Sequence, residues 1–325
     1  MDRQLEEVLA PVRAEVEEMS EVFERELLAP SPVLRQLVAH ISRYRGKRLR
    51  SAQVLLVGKG LGRLSREHVP VAAIVEMIHT ATLVHDDVLD GATMRRNLPS
   101  VNARYGNSTA VLLGDYIYAR AFSLSTRLRS QVASRVLSET TRTICRGEIE
   151  QTAARFDFEL PEETYVDLIR AKTASLHGAA CELGARYAGA PEEIASRMQD
   201  FGCNLGLAFQ IVDDCLDLDG AESVVGKSLG TDIAEGKVTL PVLHLFRTLG
   251  PRERMRLKEI YLSEGIPDRA AVLAADFDLR PGIEYALGRA DGFMHRALEC
   301  VAVLPPGPCR DSLGSLAEYV LCRKW

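Results

Sequence analysis

The chain has 325 residues, 46% hydrophobic and 26% charged, with a formal net charge of −5. That balance is ordinary for a globular protein and sets the chain against a general nucleic-acid binder, which needs a basic surface. Aromatics make up only 6%, and Ala, Leu and Val dominate the apolar set, which favours helices over sheets.

The N-terminus, MDRQLEEVLA, is acidic and amphipathic, unlike a secretory signal. Leu5, Val8, Leu9, Val12, Val16, Met19 and Phe23 step by threes and fours and predict a first helix. Ser31-Pro32 marks a break, and a second helix then runs to about Val57, where Gly58–Gly62 ends it. A long apolar helix over 69–89 stops at Asp90-Gly91, and another starts near Ser108. Further helical patterns cover about 131–152, 162–188, 191–219, 238–248, 253–263 and 283–303, with a last helix from about 309. The most apolar stretches are interrupted by Glu76, His79 and Asp115, so no transmembrane segment is expected. Seven cysteines without a C-x-x-C pair fit reduced thiols in a cytoplasmic protein. There is no strand–turn–strand signal, internal repeat or Pro/Ser-rich linker. The expectation is an all-α protein: one domain over residues 1–325, a helical bundle around a central cavity.

Two Asp-Asp-x-x-Asp boxes stand out, Asp86–Asp90 and Asp213–Asp217. Residues four apart share one face of a helix, and both boxes end an apolar helix. One such three-Asp pattern is expected about 0.07 times in a chain of this length, so two argue against accident. Solvated helix ends would explain a single box, but carboxylates crowded on a buried face need cations or a wet cleft to persist. Oxygen-only donors fit Mg²⁺ or Mn²⁺ better than zinc, and such ions commonly grip substrate phosphates. The glycines at 58, 60 and 62 complete neither G-x-G-x-x-G nor a Walker loop.

A dense basic run, Arg43, Arg45, Lys47, Arg48 and Arg50, is open to three readings: a solvated helix face, a nucleic-acid patch, or a site for a second anionic substrate. Lys47 and Arg50 are three apart and can point at one anion, while Arg95 and Arg96 follow the first box after a glycine break. His79 lies seven residues before Asp86, about two turns away on the same face, and Gln210 lies three before Asp213.

Together these features resemble the trans-isoprenyl diphosphate synthases, or polyprenyl synthetases, and in pattern their long-chain members. The resemblance rests on GKRLR at 46–50, EMIHTATLVHDDVLDGATMRR at 76–96, GDYIYARAF at 114–122 and GE at 147–148. It continues with KTASL at 172–176, FQIVDDCLDLDG at 209–220 and GKSLGTDIAEGKVTLP at 226–241. The chain departs from the family at Arg45 and Ser51, where Gly and Pro are common; both positions concern backbone shape.

The resemblance implies that Asp86, Asp90, Asp213 and Asp217 bind Mg²⁺, with Asp87 and Asp214 as direct or water-mediated partners and Asp232 further out. It implies that Lys47, Arg50, His79 and Arg96 hold isopentenyl diphosphate. Arg95, Lys172, Lys227 and Lys237 would hold the allylic diphosphate (geranyl, farnesyl or geranylgeranyl), and Thr173 and Gln210 would sit near the developing cation. The Gly-rich stretch 226–236 reads as a lid. A homodimer through the helix near 108–125 is also implied. Small Ala81 and Thr82, five and four residues before Asp86, leave out the aromatic floor of short-chain members. The expected product has four or more isoprene units, with geranylgeranyl diphosphate synthesis as the shorter alternative. Two further readings stay open. A terpene cyclase would leave the second anion site unexplained, and a non-catalytic subunit of a heteromeric synthase would not need both boxes.

Overall fold

The computed structural model describes residues 3–28, 31–44, 46–219, 230–263, 265–266 and 268–321. Helix α1 (Arg3–Leu9) passes through one 3₁₀ turn, Ala10–Val12, into α2 (Arg13–Leu27). Pro11 lies in that turn and has no N–H to continue the α-helical ladder, which explains why the predicted single helix is interrupted. The predicted helix from Ser31 to Val57 is in fact two, α3 (Pro32–Ile41) and α4 (Leu49–Gly60). Arg48 caps α4 in the left-handed region, at φ 51°, and Gly46 is crossed by the Arg96 guanidinium, which a Cβ there would meet at 2.5 Å. Arg43, Lys47 and Arg48 therefore lie in the break between α3 and α4, which Arg96 contacts at Tyr44 and Gly46, while Arg50 lies on α4 and Arg45 lies outside the described residues.

Helix α5 (His68–Leu89) is apolar on nearly every side and packs against α2 and α4. It ends in a Schellman turn: the N–H of Ala92 donates to the Asp87 carbonyl at 2.9 Å, with Gly91 at φ 61° supplying the left-handed step. A two-stranded hairpin follows, β1 (Met94–Arg95) against β2 (Leu98–Pro99), with both loop residues, Arg96 and Asn97, at positive φ. Two residues per strand are too few to leave an alternating pattern, so the hairpin was invisible in the sequence.

Next come α6 (Val101–Tyr105), α7 (Asn107–Thr126), α8 (Val132–Ala153) and α9 (Glu162–Ile169). A π-helical turn, Arg170–Ala174, joins α9 to α10 (Ser175–Tyr187). Beyond it lie α11 (Glu192–Asp219), α12 (Thr231–Ala234), α13 (Leu240–Thr248) and α14 (Pro251–Leu262). The chain closes with α15 (Arg269–Asp276), α16 (Arg280–Val301) and α17 (Pro308–Leu321). Helix α11 packs on α10 and α16, α10 on α4, and α4 on α5, so the two box-bearing helices belong to one packed bundle. The all-α expectation holds. No described helix is long and apolar enough to cross a membrane.

Inside this bundle His177 of α10 is buried, and its Nδ1 donates to Gln53 Oε1 on α4 at 2.9 Å. Its Nε2 has no hydrogen-bond partner among the described residues, and burial pushes the imidazole well below its usual range. The folded chain thus resists a proton that the unfolded chain accepts near pH 6.5, so stability is full above that pH and falls as pH drops. Relative to His177→Gln, the native chain should lose about 1.4 kcal/mol per pH unit below 6.5. Urea midpoints at pH 7.5 and 5.5 check this; parallel pH profiles for the two proteins would contradict it.

Candidate active site

Both Asp boxes occupy the last turns of their helices, α5 and α11. A helix C-terminus carries partial negative charge, which costs a carboxylate there about 0.3–1 kcal/mol. Side chains of these types persist at such a place when cations face them. Asp86 shows the strain: burial, then nearby Glu148 and Asp90, push its carboxyl up to about 6 despite Lys172 and Arg95.

The middle residue of each box is engaged by the protein. Asp87 is fully buried, and its Oδ1 accepts from Arg95 Nε and Nη2, both at 2.6 Å. Asp214 Oδ2 accepts from the Tyr165 hydroxyl at 2.6 Å and its Oδ1 from Gln210 Nε2 at 2.7 Å. Burial and Asp232 push the Asp214 carboxyl upward, while those two hydrogen bonds pull the other way. Asp217 caps α12: its oxygens accept from the Thr231 hydroxyl at 2.8 Å, the Thr231 N–H at 3.3 Å and the Asp232 N–H at 3.0 Å. Among the described residues, no three carboxylate, His or Cys side chains converge into one metal-holding set.

Lys237 links Asp90 of the first box to Asp232 of α12. Its Nζ lies 3.5 Å from Asp90 Oδ1 and 3.9 Å from Asp232 Oδ1, and it contacts Glu235. Burial opposes its charge, but Asp232, Asp90 and Glu235 outweigh burial and raise its pKa well above an ordinary lysine's. Glu235 is itself pushed up to about 7, mainly by burial. Across the cleft Lys172 sits on the π-helical turn, 2.5 Å from Glu148 Oε2 and 3.0 Å from Gln151 Oε1. Room for this wide turn comes from Gly147 on α8, where a Cβ would fall 2.7 Å from Ala171 Cβ. Such turns inside helices are rare and concentrate at functional sites. The next residue, Thr173, donates its hydroxyl to Gln210 Oε1 at 2.8 Å. Lys172, Thr173, Gln210, Asp214, Asp232 and Lys237 line one cavity that is open to solvent at its mouth.

A second cationic site forms where α4, α5 and the hairpin meet. Arg50 Nη1 donates to His79 Nε2 at 3.2 Å. Burial, then Arg50 and Arg96, push His79 well below its usual range, so it faces these cations as a neutral acceptor. Arg96 donates to the Tyr44 carbonyl through the gap at Gly46. Lys47 Nζ stands 4.9 Å from the centroid of the Tyr319 ring on α17.

The structure thus gathers Asp86, Asp90, Asp232, Lys172 and Lys237 on one side and Arg50, His79 and Arg96 on the other, with Arg95 joined to Asp87. Lys227 and the rest of 226–229 in the Gly-rich stretch lie outside the described residues. His85, next to the first box in sequence, turns to α7, its Nε2 3.0 Å from the Val111 carbonyl oxygen. Sequence reasoning passed over Tyr165, Gln151 and Glu235, and assigned no role to Glu148 although GE was among the matching segments.

Residues 31–275 match the family model described as polyprenyl synthetase. The chain is 37% identical to heptaprenyl diphosphate synthase component 2 of Geobacillus stearothermophilus, over 93% of each chain. It is also 37% identical to octaprenyl diphosphate synthase of Escherichia coli, over 90% of each. Its backbone superposes with a TM-score of 0.92 on polyprenyl synthase from Caulobacter crescentus, solved with calcium and isoprenyl diphosphate. That match has 32% identity and covers 98% of this chain and 97% of the other. With the boxes, the two cationic sites and the fold all in agreement, the chain belongs to the polyprenyl synthetase family.

Proposed function

We propose that the chain condenses isopentenyl diphosphate with an allylic diphosphate to make an all-trans polyprenyl diphosphate of four or more isoprene units, a long chain of quinone-tail size being favoured. The observation that carries this reading is the pair of distinct cationic sites. One shares a cleft with both carboxylate boxes, and the other, around Arg50, His79 and Arg96, includes neither. One diphosphate needs only the first. Two substrates need both.

The donors around the cleft are all oxygens, which fits a hard divalent cation, Mg²⁺ or Mn²⁺, and the Caulobacter relative's calcium supports that class. Asp86, Asp90 and Asp213 would hold it, with Asp87, Asp214 and Asp217 behind them in service to protein donors. The described side chains form no closed cage, so diphosphate and water would complete the coordination. Such an ion, when bound, neutralises charge on the leaving diphosphate. Lys172, Lys237, Arg95 and Lys227 bind and orient that same diphosphate. Lys237 exchanges its carboxylate partners for phosphate oxygens as the substrate enters. Leu160, Leu168, Ile169 and Val238 line the same cavity and exclude water from the allylic cation, while Thr173 and Gln210 present oxygens to it. Arg50, Arg96, Lys47 and neutral His79 hold isopentenyl diphosphate with its double bond toward that carbon. The departing diphosphate, held in place by the lysines, takes the proton lost at the end.

The long product rests on Ala81, buried and small below the first box, and on the chain lengths in the relatives' names. Helix α7 exposes Val111 (41%) and Leu112 (67%), and a second copy covers them in a homodimer. The Geobacillus relative is named as one component of an enzyme, so a different chain is the competing occupant of that face. The test uses the purified chain alone with Mg²⁺ and an allylic primer, with and without isopentenyl diphosphate. Elongation only when both substrates are present is expected. Primer consumed without isopentenyl diphosphate would support a cyclase, and no turnover by the chain alone would support the two-component reading.

A further inference from the structure

Four side chains that line the cavity form an unbroken hydrogen-bonded series: Thr173, Gln210, Asp214 and Tyr165. The outer end of this series is the unassigned one. Tyr165 lies on α9, buried, 49 residues before Asp214 in sequence, and its hydroxyl donates to Asp214 Oδ2 at 2.6 Å. We propose that Tyr165 is a positioning residue: by pinning Asp214 it dictates which way the Gln210 amide faces, and so turns oxygen rather than N–H toward the reacting allylic carbon.

Donor and acceptor counts decide which way the amide turns. A glutamine amide has two ends of nearly equal size and opposite polarity, and only its partners decide between them. Asp214 offers two acceptor oxygens on one rigid group. With Oδ2 held by Tyr165, Oδ1 is set at 2.7 Å from Gln210 Nε2 and satisfies the donor end of the amide. The acceptor end, Oε1, then receives the Thr173 hydroxyl at 2.8 Å. The Thr173 proton is thereby used, and its remaining lone pairs, like the second lone pair of Gln210 Oε1, are left for the cavity that both residues line. Two groups able to present either polarity become fixed oxygen dipoles, the arrangement that favours positive charge in a site closed to water. Without the Tyr165 hydroxyl the carboxylate is free to rotate about its Cβ–Cγ bond. Gln210 then loses its donor's partner, and both amide orientations become accessible. One of them aims N–H groups at the cation.

This rests on the prenyl-transfer reading above, and the experiment separates the two. Steady-state kinetics are measured for the native chain, Tyr165→Phe, Gln210→Leu and the double variant, varying each diphosphate in turn with Mg²⁺ fixed. Tyr165→Phe should lower kcat on the order of 10- to 100-fold, less than removal of a direct oxyanion-type donor, with KM for both diphosphates within about 3-fold. In the Gln210→Leu background the same change should cost less than about 2-fold, because the residue it acts through is gone. Asp214→Asn is a second entry to the same series. It keeps the volume, replaces one acceptor with N–H, and should lower kcat by an amount that shrinks but persists beside Gln210→Leu, because Asp214 also belongs to the second box. An unchanged kcat in a folded Tyr165→Phe, a loss that multiplies fully with Gln210→Leu, or a change confined to KM would each overturn the brace. A native chain that elongates no primer would remove the prenyl-transfer reading instead, and the brace with it.

Discussion

Asp86→Ala and Asp213→Ala should each lower kcat by about 10³-fold or more while leaving the helical circular dichroism spectrum unchanged. The size of the loss follows from the site's chemistry. Diphosphate leaves only when its charge is neutralised, and Asp86 lies among Lys172, Glu148, Asp90 and Arg95, whereas Asp87, Asp214 and Asp217 accept from protein donors. The effect on folding should be small for a reason the structure makes explicit. Asp86 is held at a helix C-terminus with Glu148 and Asp90 nearby, so the folded chain sacrifices little by losing it. Asp217→Ala should differ: it removes the cap of α12 and leaves Thr231 and Asp232 N–H groups unmatched, so its thermal midpoint should fall along with activity. Thermal melts and initial rates on the three variants check this together. Near-native turnover in Asp86→Ala or Asp213→Ala would remove the metal-clamp account.

Ala81→Phe should shift the product distribution to shorter chains. Ala81 lies five residues before Asp86, about 7.5 Å along the axis of α5, and is buried there. If the growing tail runs down this helix, a phenyl ring at 81 occupies its path and sets a floor. The bulk of α5 below that point, Ile78, Val75 and Ile74, is aliphatic and deeper in the bundle. The same substitution has a distinct signature where no tail passes. Packing a ring into a filled core costs about 1–3 kcal/mol and leaves product length alone. A shortened product with a near-native melting temperature supports the tail path; an unchanged product with a lowered melting temperature refutes it.

How far the sequence carried depended on the range of the interaction involved. Helix α5 and helix α11 were legible almost to the residue, because their period and their terminal Asp boxes are local patterns. The break between α3 and α4 was not, since Arg96, which passes over Gly46 there, stands far along the chain beyond α5. The π-helical turn at Arg170–Ala174 leaves the apolar period nearly intact, and its cause, the missing side chain of Gly147, sits on another helix. In the cleft, the residue types were readable but their division of labour was not. Asp87 and Asp90 look alike in the sequence, yet one is locked by Arg95 and the other reaches Lys237. Tyr165 carried no signal at all, because its hydroxyl bonds to a residue far along the chain.

The central claim, that this chain builds long prenyl tails by repeated addition, is tested most directly by sizing its products. Purified protein is incubated with labelled isopentenyl diphosphate, Mg²⁺ and, in turn, geranyl, farnesyl and geranylgeranyl diphosphate, and the extracted chains are measured by mass spectrometry. The account predicts all-trans products of four or more isoprene units that keep the primer at one end and carry several labelled units. Products that stop at three units, or that contain no labelled unit, would contradict it.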